Sequence, residues 1–171
     1  MNKKNLVIGA VALLLGWLLV KGLSSSLPKE FSFESTVFKR IQSQSRNGAD
    51  IGHYTPVGEP NNQFSRMIIL TRWDEKKMSV ADFDARYVKA LEAQGGVEGH
   101  DQAGANRHCI FIKSSPKPQL IFNEYFSKSG SQYQLSLTLL ESDLAELDAA
   151  AACNENSRLS SGLSELSRKI L

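Results

Sequence analysis

Apolar and polar residues alternate most regularly between residues 131 and 140. The apolar residues on one side of an extended chain here are Tyr133, Leu135, Leu137 and Leu139. A period of two predicts a strand with one buried face and one solvent-facing face. Residues 119–126 lie just upstream, at a spacing that predicts a β-hairpin with a loop over 127–130.

Three other stretches also predict strands. Residues 64–73 and 108–113 are apolar on both faces of an extended chain, which is typical of interior strands. Phe31 and Phe33 alternate with polar residues and predict a first strand over 31–38. The polar stretch 97–106 predicts a loop.

Helical spacing of apolar residues appears in three places. Residues 80–94 follow Ser79, a good N-cap, and end at two glycines. We expect this helix to pack a stripe against the sheet and to be structural, and not to be a partner-binding face. The stripe is Phe83, Tyr87 and Leu91. Residues 142–152 predict an Ala-rich helix. A final amphipathic helix carries Leu159, Leu163, Leu166 and Ile170.

The order of these elements predicts an α+β fold, a mainly antiparallel sheet with helices packed on it. Strands that follow one another as hairpins favour antiparallel pairing, and the helices are segregated from them. The order resembles that of the α/β/α sandwich of PsbP-like and Mog1-like proteins. That resemblance rests on element order, so it implies a fold and no site residues.

The N-terminus predicts export. Residues 6–20 are uncharged and almost wholly apolar, between Lys3 and Lys4 on one side and Lys21 on the other. Residues 1–23 therefore predict either an uncleaved signal anchor or a secretory signal peptide. Residues 24–30 would be a polar tether and residues 31–171 an exported domain. Both alternatives leave the N-terminal lysines in the cytoplasm, with the domain in the periplasm.

Charge argues against nucleic acid as a partner. The chain of 171 residues has 20 Lys and Arg against 18 Asp and Glu. Three of the basic residues, Lys3, Lys4 and Lys21, lie in the N-terminal segment, so the remainder has 17 basic and 18 acidic residues. A near-neutral domain lacks the basic surface that binds phosphate backbones.

Two cysteines, Cys109 and Cys153, both lie in the predicted exported part. An oxidising compartment favours a single disulfide between them, although two buried thiols remain an alternative. The bridge would pin a central strand to a C-terminal helix.

Catalytic and cofactor motifs are absent from the sequence. It lacks the G-x-S-x-G, P-loop and H-E-x-x-H patterns, and we predict no cofactor and no metal. His53, His100 and His108 stand far apart. His108 and Cys109 point to opposite faces of a strand, which rules out a thiol–imidazole pair there.

Glu124 stands among apolar residues of a predicted strand. An inward carboxylate would need a partner such as Arg66 or Arg72, whereas an edge position would let it reach water. We favour the edge position because burying a charge is costly.

Residues 43–63 are rich in polar residues, glycine and proline, and predict a long loop interrupted by a short strand over 52–57. Long loops inside compact domains are often functional. The candidate binding residues of this loop are His53, Tyr54, Asn61 and Asn62.

These features predict an envelope protein with a non-catalytic protein-binding domain. It would be an accessory or assembly subunit of a membrane complex, held at the membrane by residues 6–23 and bound to another envelope protein. One alternative is an exported immunity or inhibitor protein that blocks a toxin or enzyme. Another is a small envelope hydrolase that uses scattered carboxylates or histidines.

We expect the N-terminal segment to be retained as an anchor, because the residues after the apolar run offer only poor cleavage sites. Mass spectrometry of the mature protein measures this directly. An N-terminus at Ser25 or Leu27 would show cleavage and contradict the anchor.

Overall fold

The computed structural model describes residues 27–60, 64–99, 107–113 and 117–170, and these residues form an eight-stranded antiparallel sheet. The strands are β1 (Glu30–Phe33), β2 (Thr36–Arg46), β3 (Ala49–Pro56), β4 (Arg66–Asp74), β5 (Gly96–Gly99), β6 (Arg107–Ile112), β7 (Gln119–Lys128) and β8 (Ser131–Leu139). The helices are α1 (Val80–Glu92), α2 (Ala149–Glu155) and α3 (Ser157–Lys169). The predicted α+β class with an antiparallel sheet is confirmed.

The strand order is β1-β2-β3-β4-β8-β7-β6-β5. The chain therefore forms two meanders, β1 to β4 and β5 to β8, which join where β4 pairs with β8. The predicted anchor over 1–23 lies outside the described residues. Within those residues, no helix is long and apolar enough to cross a membrane.

Tight turns replace much of the loop that the sequence predicted. The turn pairs Glu34-Ser35, Asn47-Gly48 and Ser129-Gly130 all have positive φ, as in type I′ hairpins. The predicted strand over 31–38 is therefore the hairpin of β1 and β2. Most of the predicted loop 43–63 belongs to β2 and β3. Asn-Gly is a strong hairpin signal, and it marks the β2–β3 turn in the sequence.

Each face of the sheet carries a helical layer. Cys109 and Phe111 of β6 pack with α2 and α3, whereas their neighbour Ile110 packs with Leu91 of α1. Because neighbouring residues of a strand point to opposite faces, α1 lies on one face and the other two helices on the other. We call the face under α2 and α3 the covered face, and the face that carries α1 the open face.

β8 differs from the expectation of one wet face, since all nine of its residues are buried. Its polar row faces α1. Gln134 donates to the Tyr125 hydroxyl at 3.2 Å, and the hydroxyls of Ser136 and Tyr87 lie 3.2 Å apart. Gln134 and Ser136 of this row therefore have protein partners beneath α1. The predicted loop 97–106 also differs, because β5 occupies its first residues.

The stretch 142–152, which the sequence predicted as one Ala-rich helix, instead forms a 3-10 turn followed by the short helix α2. The 3-10 turn spans Ser142–Glu146, and the Asp148 carboxylate then accepts the backbone N–H of Ala151 to begin α2. The apolar stripe predicted for α3 is confirmed, with Leu159, Leu163 and Leu166 buried in the core of the covered face.

Glu124 is buried beneath α3, so the edge position that we favoured is wrong. The hydroxyls of Ser164 and Ser167 donate to its two oxygens at 2.6 and 3.0 Å. Arg107 lies 3.6 Å away. Neither Arg66 nor Arg72 is the partner, because β7 lies between β6 and β8 and Arg107 stands directly across from Glu124. These contacts offset the desolvation of the carboxylate.

The predicted disulfide between Cys109 and Cys153 is confirmed, with the Cα atoms 6.0 Å apart. It joins α2 to β6, which is next to the edge of the sheet and not at its centre. Gly99 of β5 lies against the bridge, since a Cβ there would be 2.4 Å from the Cys153 sulfur. The disulfide therefore holds the β5 edge and the C-terminal helices together.

Replacing both cysteines, as in Cys109→Ala/Cys153→Ala, should lower the free energy of unfolding by about 2–5 kcal/mol, because the bridge closes a loop of 44 residues. Urea denaturation of the parent and the variant measures the difference. Thiol titration is the control. Two alkylatable thiols in unreduced, denatured protein would contradict the bridge.

Candidate functional site: a groove beside α1

An apolar groove of about 490 Å³ lies on the open face beside α1. β2, β3, β4 and β8 form its floor, and the side chains of α1 and of the segment before it form one wall. The apolar and aromatic lining residues are Ala49, Ile51, Ile69, Trp73, Met78, Phe83 and Tyr87. Volume and lining both fall in the range of sites that bind ligands or partner side chains.

Strand register builds the floor of the groove. Ala49, Ile51 and His53 alternate along β3 and all point to the open face. They stand across from Trp73, Thr71 and Ile69 of β4 respectively. The centre of the floor is therefore two adjacent rows of side chains from β3 and β4, flanked by residues of β2 and β8.

Aromatic stacking fixes the wall. The Phe83 ring stacks on Trp73 with centroids 4.3 Å apart and an interplanar angle of 11°. The Trp73 indole N–H donates to the Met78 carbonyl at 2.9 Å. This contact holds the segment between β4 and α1 against the sheet, so the groove has a defined shape.

One end of the groove is cationic. Arg46 and Lys77 both line the β2–β3 turn, and a Cβ at Gly48 would lie 2.6 Å from the Lys77 ammonium nitrogen. Within the described ranges neither cation forms an ion pair, and no carboxylate lines the groove. The site combines an apolar body with positive charge at one end.

Of the predicted binding residues, His53 lines the groove and Tyr54 does not. Burial lowers the pKa of His53, and its Nδ1 is shielded without a hydrogen-bond partner, so the imidazole is neutral at neutral pH. Tyr54 is fully buried on the covered face, where its hydroxyl donates to the Pro28 carbonyl at 2.9 Å. Burial raises the pKa of Tyr54 to about 12. Asn61 and Asn62 lie outside the described residues.

The α1 stripe packs on the sheet, and two of its residues also line the groove. Leu91 is buried against the sheet and Tyr87 meets Ser136, which agrees with a structural stripe. Phe83 also packs on the sheet, where it stacks on Trp73, but it is only half-buried and lines the groove. The sequence missed this because its periodicity shows which residues share a side, and not how far the sheet extends beneath them.

A second polar cluster lies beside α1, around His108. Its Nε2 lies 3.0 Å from Asp84 of α1, and its Nδ1 lies 2.6 Å from Glu98 of β5. Two carboxylate acceptors require an N–H on each ring nitrogen, so this geometry fits the imidazolium form. Burial lowers the pKa of His108, but the hydrogen bond to Glu98 and the charges of both carboxylates outweigh it and raise the pKa overall.

This cluster positions secondary structure, since it links α1, β5 and β6 through side chains. Tyr125 of β7 lies next to it, and burial together with the charge of Asp84 raises the pKa of its hydroxyl. Cys109 points to the opposite face, as predicted. Among the residues that the structure describes, no three His, Cys, Asp or Glu side chains are placed to hold a metal ion.

We expect His108 to stabilise the fold more at acidic than at alkaline pH. Because its pKa is raised in the folded state, its contribution is complete below the unfolded value of 6.5 and is lost as pH rises through the folded pKa. Thermal melts of the parent and His108→Gln across this range measure the contribution, and the gap in melting temperature should narrow as pH rises.

His53→Gln is the matched control. The pKa of His53 is lowered, so its neutral folded form favours folding at high pH and the pH trend is reversed. If the difference in melting temperature between the parent and His108→Gln stayed constant from acidic to alkaline pH, it would contradict the pairing of a charged His108 with Asp84 and Glu98.

Comparison with known proteins leaves the function to be argued from this geometry. No family model, curated protein or solved structure matches the chain.

Proposed function

We propose that this protein is an exported, membrane-tethered domain that binds another envelope protein without catalysis, as an accessory or assembly subunit of a membrane complex. The observation that carries the proposal is the groove beside α1. Its apolar floor and aromatic wall suit large apolar side chains of a partner, which would shield half-buried Ile51 and Ile69 from water.

The location follows from the sequence together with the disulfide. Residues 6–23 would hold the chain in the membrane, and β1 begins at Glu30 after a short tether. A disulfide is typical of an oxidising compartment. The domain would therefore work close to the membrane surface, within reach of membrane proteins. Helices on both faces of the sheet are compatible with the PsbP-like and Mog1-like sandwich, which remains part of this proposal.

Binding suits the lining of the groove better than hydrolysis does. The lining contains one imidazole, His53, and no carboxylate, serine or cysteine to pair with it as base or nucleophile. His108 does have carboxylate partners, but both of its ring nitrogens are engaged by them. The groove therefore supplies shape and apolar contact in preference to acid–base chemistry.

Site-specific photo-crosslinking in intact cells tests this function. A photoreactive residue at Gln44, beside the groove, should crosslink an envelope protein. The matched control is a photoreactive residue at Val97, which is 59% exposed but lies on β5 at the far edge of the sheet.

An adduct at Gln44 that is absent at Val97 supports the groove as the binding site. Absence of an adduct at Gln44, or equal adducts at both positions, would contradict it.

A further inference from the structure

β2 is much longer than β1, so among the described residues half of its outer edge has no neighbouring strand. β1 pairs only with Thr36–Lys39, and the N–H of Arg40 then donates to the Lys29 carbonyl at 2.9 Å. Beyond this point no described residue pairs with the outer edge of 41–46. An extended segment with free ladder groups is a template for another strand.

Side-chain contacts direct the chain before β1 away from this edge. The Arg40 guanidinium donates to the Leu27 carbonyl at 2.8 Å, and the Tyr54 hydroxyl donates to the Pro28 carbonyl at 2.9 Å. Leu27 is itself buried in the core. Leu27 and Pro28 are therefore held over the covered face and do not extend along residues 41–46 of β2.

The free edge and the groove are continuous. Residues 41–46 are all exposed, and two of them, Gln44 and Arg46, also line the groove. A strand laid along this edge would place alternate side chains on the open face next to Gln44 and Arg46. Main-chain hydrogen bonding is available to a polypeptide but not to a small apolar ligand.

Charge selects the kind of polypeptide. β2 carries Lys39, Arg40 and Arg46 and no acidic residue, and Lys77 adds a fourth cation at the turn. The neighbouring carboxylate of Asp50 accepts the Ser45 hydroxyl at 2.5 Å, on the side of the strands away from the groove. A second copy of the same edge would supply no acidic residue to pair with these cations, whereas an acidic strand would.

We propose that the partner binds as an added β-strand along residues 41–46. It places apolar side chains toward the groove and acidic side chains against Arg46 and Lys77. This inference rests on the proposed protein-binding function and names the chemistry of the partner segment. The backbone ladder supplies affinity, while the groove and the two cations supply specificity.

Hydrogen–deuterium exchange of the full chain in lipid nanodiscs tests the strand addition. The probe is a short synthetic peptide in which two phenylalanines and two glutamates occupy every second position, with threonines between them, so that all four side chains lie on the face of the added strand that points to the groove, Arg46 and Lys77. Its counterparts replace the glutamates by lysines, or the phenylalanines by serines. The glutamate and phenylalanine peptide should slow amide exchange in 41–46, and neither counterpart should do so at the same concentration.

Charge reversal at the two groove cations, Arg46 and Lys77, tests whether the site selects acidic peptides. Arg46→Glu/Lys77→Glu should weaken binding of the acidic peptide by about tenfold or more. Arg46→Lys should retain most of the affinity. Lys113→Glu/Lys117→Glu makes the same change in net charge away from β2 and should bind like the parent.

Other outcomes would overturn this inference. Protection of the floor residues 69–73 without protection of 41–46 would show binding in the groove without strand addition, and would leave the proposed function intact. Equal binding of the lysine peptide, or equal losses in both double variants, would refute acidic recognition. Protection of 41–46 by dodecanoate in place of the peptide would refute a polypeptide occupant. Failure of the proposed function itself would appear instead as loss of the Gln44 crosslink.

Discussion

The pairing of β4 with β8 is the constraint on which the rest of the structure depends. It runs without interruption from Arg66 across from Leu139 to Asp74 across from Ser131, and it joins two meanders that are otherwise separate in the sheet. Both strands are apolar toward the covered face, where Ile68 and Leu70 are fully buried. The core of the whole domain is therefore built around this pair.

This topology also explains why a groove exists. α1 must connect β4, in the middle of the sheet, to β5 at its edge. Four strand spacings cover about 19 Å, and a helix of 13 residues spans about 20 Å. The helix therefore crosses the half of the open face formed by the second meander. Beside Phe83 and Trp73, no helix among the described residues covers the open face of the first meander, β1 to β4.

Polar contacts hold the helices α1 and α3 in position on the sheet. The His108 cluster links α1 to β5 and β6, and the hydroxyls of Ser164 and Ser167 hold α3 over Glu124. The Glu124 cluster is buried and the His108 cluster is partly exposed, and in both the charged side chains have partners within the protein, which suits a structural role. The groove differs from them, because its cations lack ion-pair partners among the described residues and Ile51 and Ile69 of its floor are only half-buried. A binding surface would show this contrast, since its partners lie on another molecule.

Local features were predictable because they depend on residues close together in the chain. Ser79 caps α1 as expected, since its side chain accepts the backbone N–H of Asp82. The interior character of residues 64–73, the stripe of α3 and the pairing of the two cysteines also followed from spacing and composition. Asn47-Gly48 carried a hairpin signal that the polar composition around it obscured.

Tertiary structure decided which faces are covered, and this depends on segments far apart in the sequence. The polar row of β8 has the pattern of a wet face, yet α1 buries it from about 50 residues away. Glu124 finds its serine partners 40 and 43 residues downstream. His53 and Phe83 meet in one groove because β3, β4 and α1 are brought together by the sheet. Alternation along a strand assigns a residue to one of two faces, but only the packed fold determines what lies over that face.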